Sequence, residues 1–173
     1  MPKVPSRGFS GSEFAARLRA IQAQMETQSL GALLLTTESD IFYFSGFLSQ
    51  FWQSPTRPWF VVIPASGLPI GVIPEIGVNA MTSEFMTDIR SWPSPHATDD
   101  GVSLLAETVL EVLAQSQSCT LGINKGRETH IRMPLNDVES LMARLRSGMP
   151  DLAVLDATPA IQAVRMLKSE AEI

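Results

Sequence analysis

A single cysteine, Cys119, stands in 173 residues, so no disulfide can form within the chain and a reducing, cytoplasmic setting is the expectation. In "SCTLGI" it reads as a small buried hydrophobe. Histidines number two, His96 and His130, and neither has a His, Cys or carboxylate at ligand spacing, which argues against a metal site in this sequence. His96 lies in the loop-like "PSPHATDD" and is expected at the surface. Asp99 and Asp100 beside it suit a helix N-cap better than a metal. Positive charge is scarce too. Lys and Arg total 13 against 18 Asp and Glu, a net charge of -5, and a phosphate-binding surface would need the opposite balance. No apolar run approaches the length of a membrane span. The opening "MPKVPSRG" has no apolar stretch of the kind a secretory signal needs, and residues 1–9 are read as a flexible arm. Neither G-x-S-x-G, G-x-G-x-x-G nor a P-loop occurs.

What remains is an ordinary globular composition, 45% hydrophobic and 18% charged. "SGSEFAARLRAIQAQMETQ" opens with a capping box, Ser10 to Glu13, and carries Phe14, Leu18, Ile21 and Met25 at helical spacing. "GALLLTT" reads as a buried strand. "ESDIFYFSGF" fits either a helical turn or an extended segment. "WFVVIP" and "PIGVIP", separated by "ASGL", read as a hairpin. A weaker helix over "EIGVNAMTSEFM" and a strand over "DIRSW" follow. Asp99 or Asp100 then caps a helix with Val102, Leu105, Val109 and Val112 on one face. "CTLGIN" is a strand. "LNDVESLMARLRSGMP" is a helix with a box from Asn136 to Glu139, Leu141 and Leu145 inside, and Gly148 and Pro150 as its stop. "LAVLD" is the last strand, and Thr158 caps a final helix with Pro159 at its first position.

Strands alternating with amphipathic helices imply an α/β fold. The tight hairpin makes the sheet mixed. About six strands and five or six helices fit the length, giving a mixed, mostly parallel sheet with helices on both faces.

The "GINKGRETH" loop, with Gly122, Lys125, Gly126 and Arg127, follows a strand and could hold an anion; a solvated turn is the better reading. The richest stretch is "YFSGFLSQFWQSPTRPWF". Tyr43, Phe44 and Phe60 read as core. Phe51 and Trp52 do not fall on a strand or helix period. With Arg57 they suggest a recognition edge for a small ligand or partner. On that reading the loop at 48–58 is exposed.

Several pieces together resemble the N-terminal domain of the creatinase/prolidase/Xaa-Pro aminopeptidase family, the pita-bread metallopeptidases. They are "EFAARLRAIQAQMETQSLGALLLTT", "DIFYFSGF", "RPWFVVIP" and the closing "AIQAVRMLKSEAEI". The resemblance implies a ribonuclease H-like fold over residues 10–168. It makes residues 169–173 the start of a linker helix into a C-terminal catalytic domain, with Ser169 and Glu172 as that helix's capping box and the segment frayed here for want of a continuation. It also implies a catalytic centre of two divalent metal ions (Mn, Co or Zn) in that other domain, held by Asp, His and Glu residues not found here. The parent activity would be hydrolysis of an Xaa-Pro peptide or a related small C–N bond. In creatinase-like members, the loop after the aromatic segment reaches the partner subunit's active site in a homodimer. By position Phe51, Trp52 and Arg57 match it, although Pro55 is extra and the spacing to the Arg differs. Two other functions stand beside this one: a peptide- or protein-binding module in a metal-free relative, and an unrelated free-standing small-molecule binder, which the terminal capping box disfavours.

Overall fold

The computed structural model describes residues 8–54 and 58–173. Ser10 begins the first helix, α1 (Gly11–Thr27), its hydroxyl accepting from the Glu13 amide at 3.2 Å. The predicted face is buried at Phe14, Ile21 and Met25, and Arg17 is buried with them. β1 (Ala32–Leu35) follows. The ambiguous segment is a helix, α2 (Glu38–Ser45), because both its ends are written in sequence. Thr37 accepts from the Asp40 amide, and Gly46 closes it in the left-handed region at φ 67°, where a side chain would be strained.

β2 (Phe60–Pro64) and β3 (Ile70–Pro74) form the expected antiparallel hairpin. A short helix α3 (Val78–Met81) and β4 (Asp88–Trp92) come next, then α4 (Val102–Ala114), β5 (Thr120–Ile123), α5 (Leu135–Gly148), β6 (Ala153–Asp156) and α6 (Thr158–Met166). The strands make one sheet in the order β4-β3-β2-β1-β5-β6. β1 runs antiparallel to β2 and parallel to β5, while β3–β4 and β5–β6 are parallel. The sheet is therefore mixed and mostly parallel.

Period-two alternation divides each central strand between two cores. Leu33, Leu35, Val61 and Ile63 face α1, α2 and α6. Ala32, Leu34, Phe60 and Val62 face α4 and α5. Both faces are covered, which is why "ALLL" and "FVVI" read as unbroken apolar runs.

Three helix starts differ from the expectation. α5 begins at Leu135, with Pro134 ahead of it, so Asn136 lies inside the first turn and is not a cap. α6 starts one residue earlier than expected, with Ala157 at the N-cap and Thr158 as its first residue; the Thr158 amide bonds to Asp156 Oδ1 at 3.0 Å, and its hydroxyl serves Gly126 instead. At α4 the N-cap position is Gly101, and neither aspartate occupies it; Asp99, two residues ahead, still serves the first turn, its Oδ1 accepting from Val102 N at 2.7 Å and Ser103 N at 3.1 Å. Asp100 binds the Trp92 indole and Ser94. Cys119 is exposed, not buried, because it precedes β5 and does not belong to its inward set.

Asp99 carries a prediction. Partial burial opposes its ionisation, but the hydrogen bonds from Ser103 and Val102 outweigh this, and its pKa is lowered. A depressed folded pKa stabilises the fold above the unfolded value of about 4, and that contribution is lost as pH falls through the folded pKa. Asp99→Ala should cost about 1 kcal/mol at neutral pH. The gap from wild type should close in acid below about pH 4. Urea midpoints at both pH values check this; an equal gap at both would remove the carboxylate from the account.

α6 stops at Met166 and Leu167 is extended. Ser169 then heads a 3₁₀ turn, Glu170–Glu172, so it is not a mid-helix residue. Its amide donates to Glu172 Oε2 at 3.2 Å, and its hydroxyl donates to Glu13 Oε1 at 2.8 Å. Arg17 lies 3.8 Å from Glu172. Residues 169–173 thus form a turn in contact with α1.

Candidate functional site

Gly46 turns the chain out of α2 toward the carboxyl ends of β1 and β5, where α/β sheets commonly hold ligands. Phe47 is fully buried and Leu48 is exposed. Ser49 accepts from the Phe51 amide at 3.2 Å and opens a 3₁₀ turn, Gln50–Gln53. With three residues per turn, neighbouring side chains point in different directions. Trp52 goes inward, 7% exposed, and Phe51 outward, 38% exposed.

Beneath the turn is an aromatic cluster centred on Trp59. Its ring lies 5.1 Å from Phe47, 6.1 Å from Trp52 and 6.3 Å from Phe51, the last nearly parallel at 22°. Gly77 completes the packing. A Cβ there would stand 2.2 Å from Trp59 Cζ3, so only glycine lets the backbone approach. The indole nitrogens of Trp52 and Trp59 are buried with no hydrogen-bond partner among the described residues, so these rings act as apolar anchors.

Arg132, from the segment between β5 and α5, closes the turn from the other side. Its amide donates to Thr36 Oγ1 at 3.0 Å, its guanidinium lies 5.0 Å from the Trp52 ring, and Nη2 donates to the carbonyls of Trp52 (3.2 Å) and Ser54. Burial pulls its pKa below the ordinary value, opposed by Glu38, yet a guanidinium remains charged at any working pH.

Next to this turn is a groove of about 520 Å³, lined by Glu38, Phe42, Leu48, His130 and Arg132 among others. A smaller polar pocket of about 160 Å³ adjoins it, sharing Thr37, Ser39 and His130. Its floor is Asp40, 3% exposed, which accepts from Thr37 Oγ1 at 2.7 Å and Asn124 Nδ2 at 2.8 Å and pairs with Arg165 at 2.6 Å. That cluster ties the ends of β1 and β5 to α6.

Of the residues singled out from sequence, Phe51 is partly exposed and stacked on Trp59, three residues after the groove-lining Leu48. Trp52 is placed against expectation: it is core, because Ser49 opens a turn that aims the ring at Phe47 and Trp59. Arg57 lies outside the described residues. Leu48, His130 and Arg132 were missed. None of the three stands out in sequence: Arg132 is a cation between Ile131 and Met133 in a segment with neither strand nor helix period. The "GINKGRETH" amides serve the protein itself. Lys125 N donates to Asp156 Oδ1 and Gly126 N to Thr158 Oγ1, both at 3.1 Å. Burial opposes the ionisation of Asp156, but hydrogen bonds from Thr158, Lys125 and Gly126 outweigh it and lower its pKa.

Among the described residues no three His, Cys, Asp or Glu side chains gather as a metal site. Asp40, the most buried carboxylate, is engaged by Arg165, Asn124 and Thr37. No helix among them is long and apolar enough to cross a membrane.

The profile of the Creatinase/Prolidase N-terminal domain matches residues 17–167. The chain belongs to that family. An uncharacterized hydrolase/peptidase of Sinorhizobium fredii, y4tM, is 25% identical over 171 residues, covering 95% of the chain and 41% of the relative. The dipeptidase PepE of Mycobacterium ulcerans is 26% identical with a TM-score of 0.65, covering 95% of the chain and 39% of that structure. The N-terminal domain of the cytoplasmic peptidase PepQ from Mycobacterium tuberculosis superimposes with a TM-score of 0.62 at 16% identity, covering 87% of the chain and 98% of that structure. This creatinase/prolidase N-terminal domain therefore spans about two fifths of the length of y4tM and PepE.

Proposed function

We propose that this domain is the non-catalytic, substrate-gating part of a metal-dependent hydrolase acting on Xaa-Pro dipeptides or related small C–N substrates. The metals, Mn, Co or Zn, belong to a C-terminal catalytic domain and would generate hydroxide and polarise the scissile carbonyl there. The gating domain supplies dimer contacts and extends the turn after Gly46 toward the partner subunit's active site. The cytoplasm is its compartment. The observation that carries the reading is Phe51, an aromatic ring 38% exposed and stacked on Trp59, three residues after Leu48, which is 61% exposed and lines the groove. Neighbouring exposed apolar side chains, unlike single scattered ones, mark contact surfaces. Phe51 touches the substrate, Trp52 supports it from below, and Arg57 is assigned to a substrate carboxylate through the bidentate geometry of its guanidinium.

The test is Phe51→Ala in the full-length enzyme. Its kcat/KM on an Xaa-Pro dipeptide should fall on the order of tenfold. Stability should fall by clearly less than the roughly 3–5 kcal/mol of a fully buried ring, because Phe51 is 38% exposed. Unchanged kcat/KM would overturn gating; a full-length protein that hydrolyses no Xaa-Pro dipeptide with added metal would instead favour a binding module in a metal-free relative. The 173-residue chain alone should hydrolyse no Xaa-Pro dipeptide with added manganese, cobalt or zinc; activity that a chelator abolishes would contradict this.

A further inference from the structure

The 3₁₀ turn at Gln50–Gln53 is too short to satisfy its own ends. The Trp52 amide bonds to the Ser49 carbonyl at 3.2 Å and the Ser54 amide to the Phe51 carbonyl at 3.1 Å. The carbonyls of Trp52 and Ser54 point past the end of the turn, where a helix leaves acceptors without internal partners. Both are taken by one atom, Arg132 Nη2. The same guanidinium covers the Trp52 ring at 5.0 Å. Arg132 is itself fixed through its backbone, by Thr36 Oγ1 at the end of β1. A chain of contacts thus runs from the central strand through Arg132 to the turn. Turning Trp52 inward is what turns Phe51 outward, since the two are adjacent on a three-residue period.

We propose that Arg132 is the positioning residue of this loop: it sets the register of the 50–54 turn and thereby the direction of Phe51. Its purpose, positioning Phe51 for substrate, rests on the gating function proposed above; the structural part does not. Lysine cannot replace it fully. An ammonium can reach a carbonyl, but it lacks the planar fork that bonds and stacks at once.

Hydrogen exchange of the chain tests the structural part, and related N-terminal domains fold as separate proteins, as the PepQ domain does. In Arg132→Leu, the Trp52 and Ser54 amides should exchange at least tenfold faster while those of β1 and β2 keep their protection. Arg132→Lys should lie between. Unchanged exchange at Trp52 and Ser54 in both variants would overturn the inference. If Arg132→Leu does not fold, Arg132→Lys and Arg132→Gln give the same comparison.

The full-length enzyme tests the purpose through a double-mutant cycle. If Arg132 acts through Phe51, Arg132→Lys should lower kcat/KM severalfold in wild type and by less than twofold once Phe51 is Ala. Equal losses in both backgrounds would overturn the proposed route through Phe51. Faster exchange in Arg132→Lys with unchanged kcat/KM would leave Arg132 as the organiser of the turn and overturn the gating function.

Discussion

Trp52→Ala should destabilise the chain by about 3–5 kcal/mol, the cost of removing a buried indole and leaving its cavity. The ring is 7% exposed and packs between Phe47 and Trp59 under the Arg132 guanidinium. Its neighbours cannot collapse into the space, because Trp59 is locked against Gly77 and Arg132 is tied to Thr36. For a domain of this size the melting midpoint should fall by roughly 10 °C or more. The sequence alone had favoured the opposite outcome, a surface ring whose loss spares stability. A drop of only a degree or two would return Trp52 to the surface. Any effect of Trp52→Ala on catalysis is then to be read only at temperatures where the variant is folded, which makes Phe51, not Trp52, the residue on which gating is tested.

Asp40→Ala should be the second large effect, about 2–3 kcal/mol. The carboxylate is 3% exposed and holds Thr37, Asn124 and Arg165 together. Removing it strips Asn124, itself 6% exposed, of its acceptor and leaves the Arg165 charge without its partner. The estimate lies below the usual cost of breaking a buried pair because the Arg165 side chain is 37% exposed and water can replace part of what it loses. For the same reason Arg165→Met should cost clearly less than Asp40→Ala. Chemical denaturation of the two variants decides; equal costs would mean that the ion pair, and not the network around Asp40, carries the stability.

Much of the fold was legible because it is written in periodicities. The unbroken apolar strands, the 10–28 helix and the hairpin follow from residues whose spacing allows one burial pattern. What was not legible depended on contacts between distant segments. Arg17, four residues after Glu13, looks like half of a surface pair; it is buried because Tyr43, far along the chain, brings its carbonyl to within 2.9 Å of Nη1 and its ring against the guanidinium. Trp52 looked like loop because a four-residue 3₁₀ turn has too short a period to see in sequence. Its inward direction is imposed by Trp59 and Arg132, which join it only in the folded sheet. Phe51, by contrast, was legible as an aromatic without a burial pattern, and it is partly exposed where Trp52 is buried.

The central claim is that this domain gates a neighbouring subunit's catalytic site, and subunit mixing tests it most directly. One full-length subunit carries Phe51→Ala with an intact catalytic domain. The other keeps Phe51 but has its catalytic metal ligands substituted. In the purified mixed dimer, kcat/KM per intact catalytic domain should return to the wild-type value, because Phe51 arrives from the partner. A value that stays at the level of the Phe51→Ala homodimer would contradict the account.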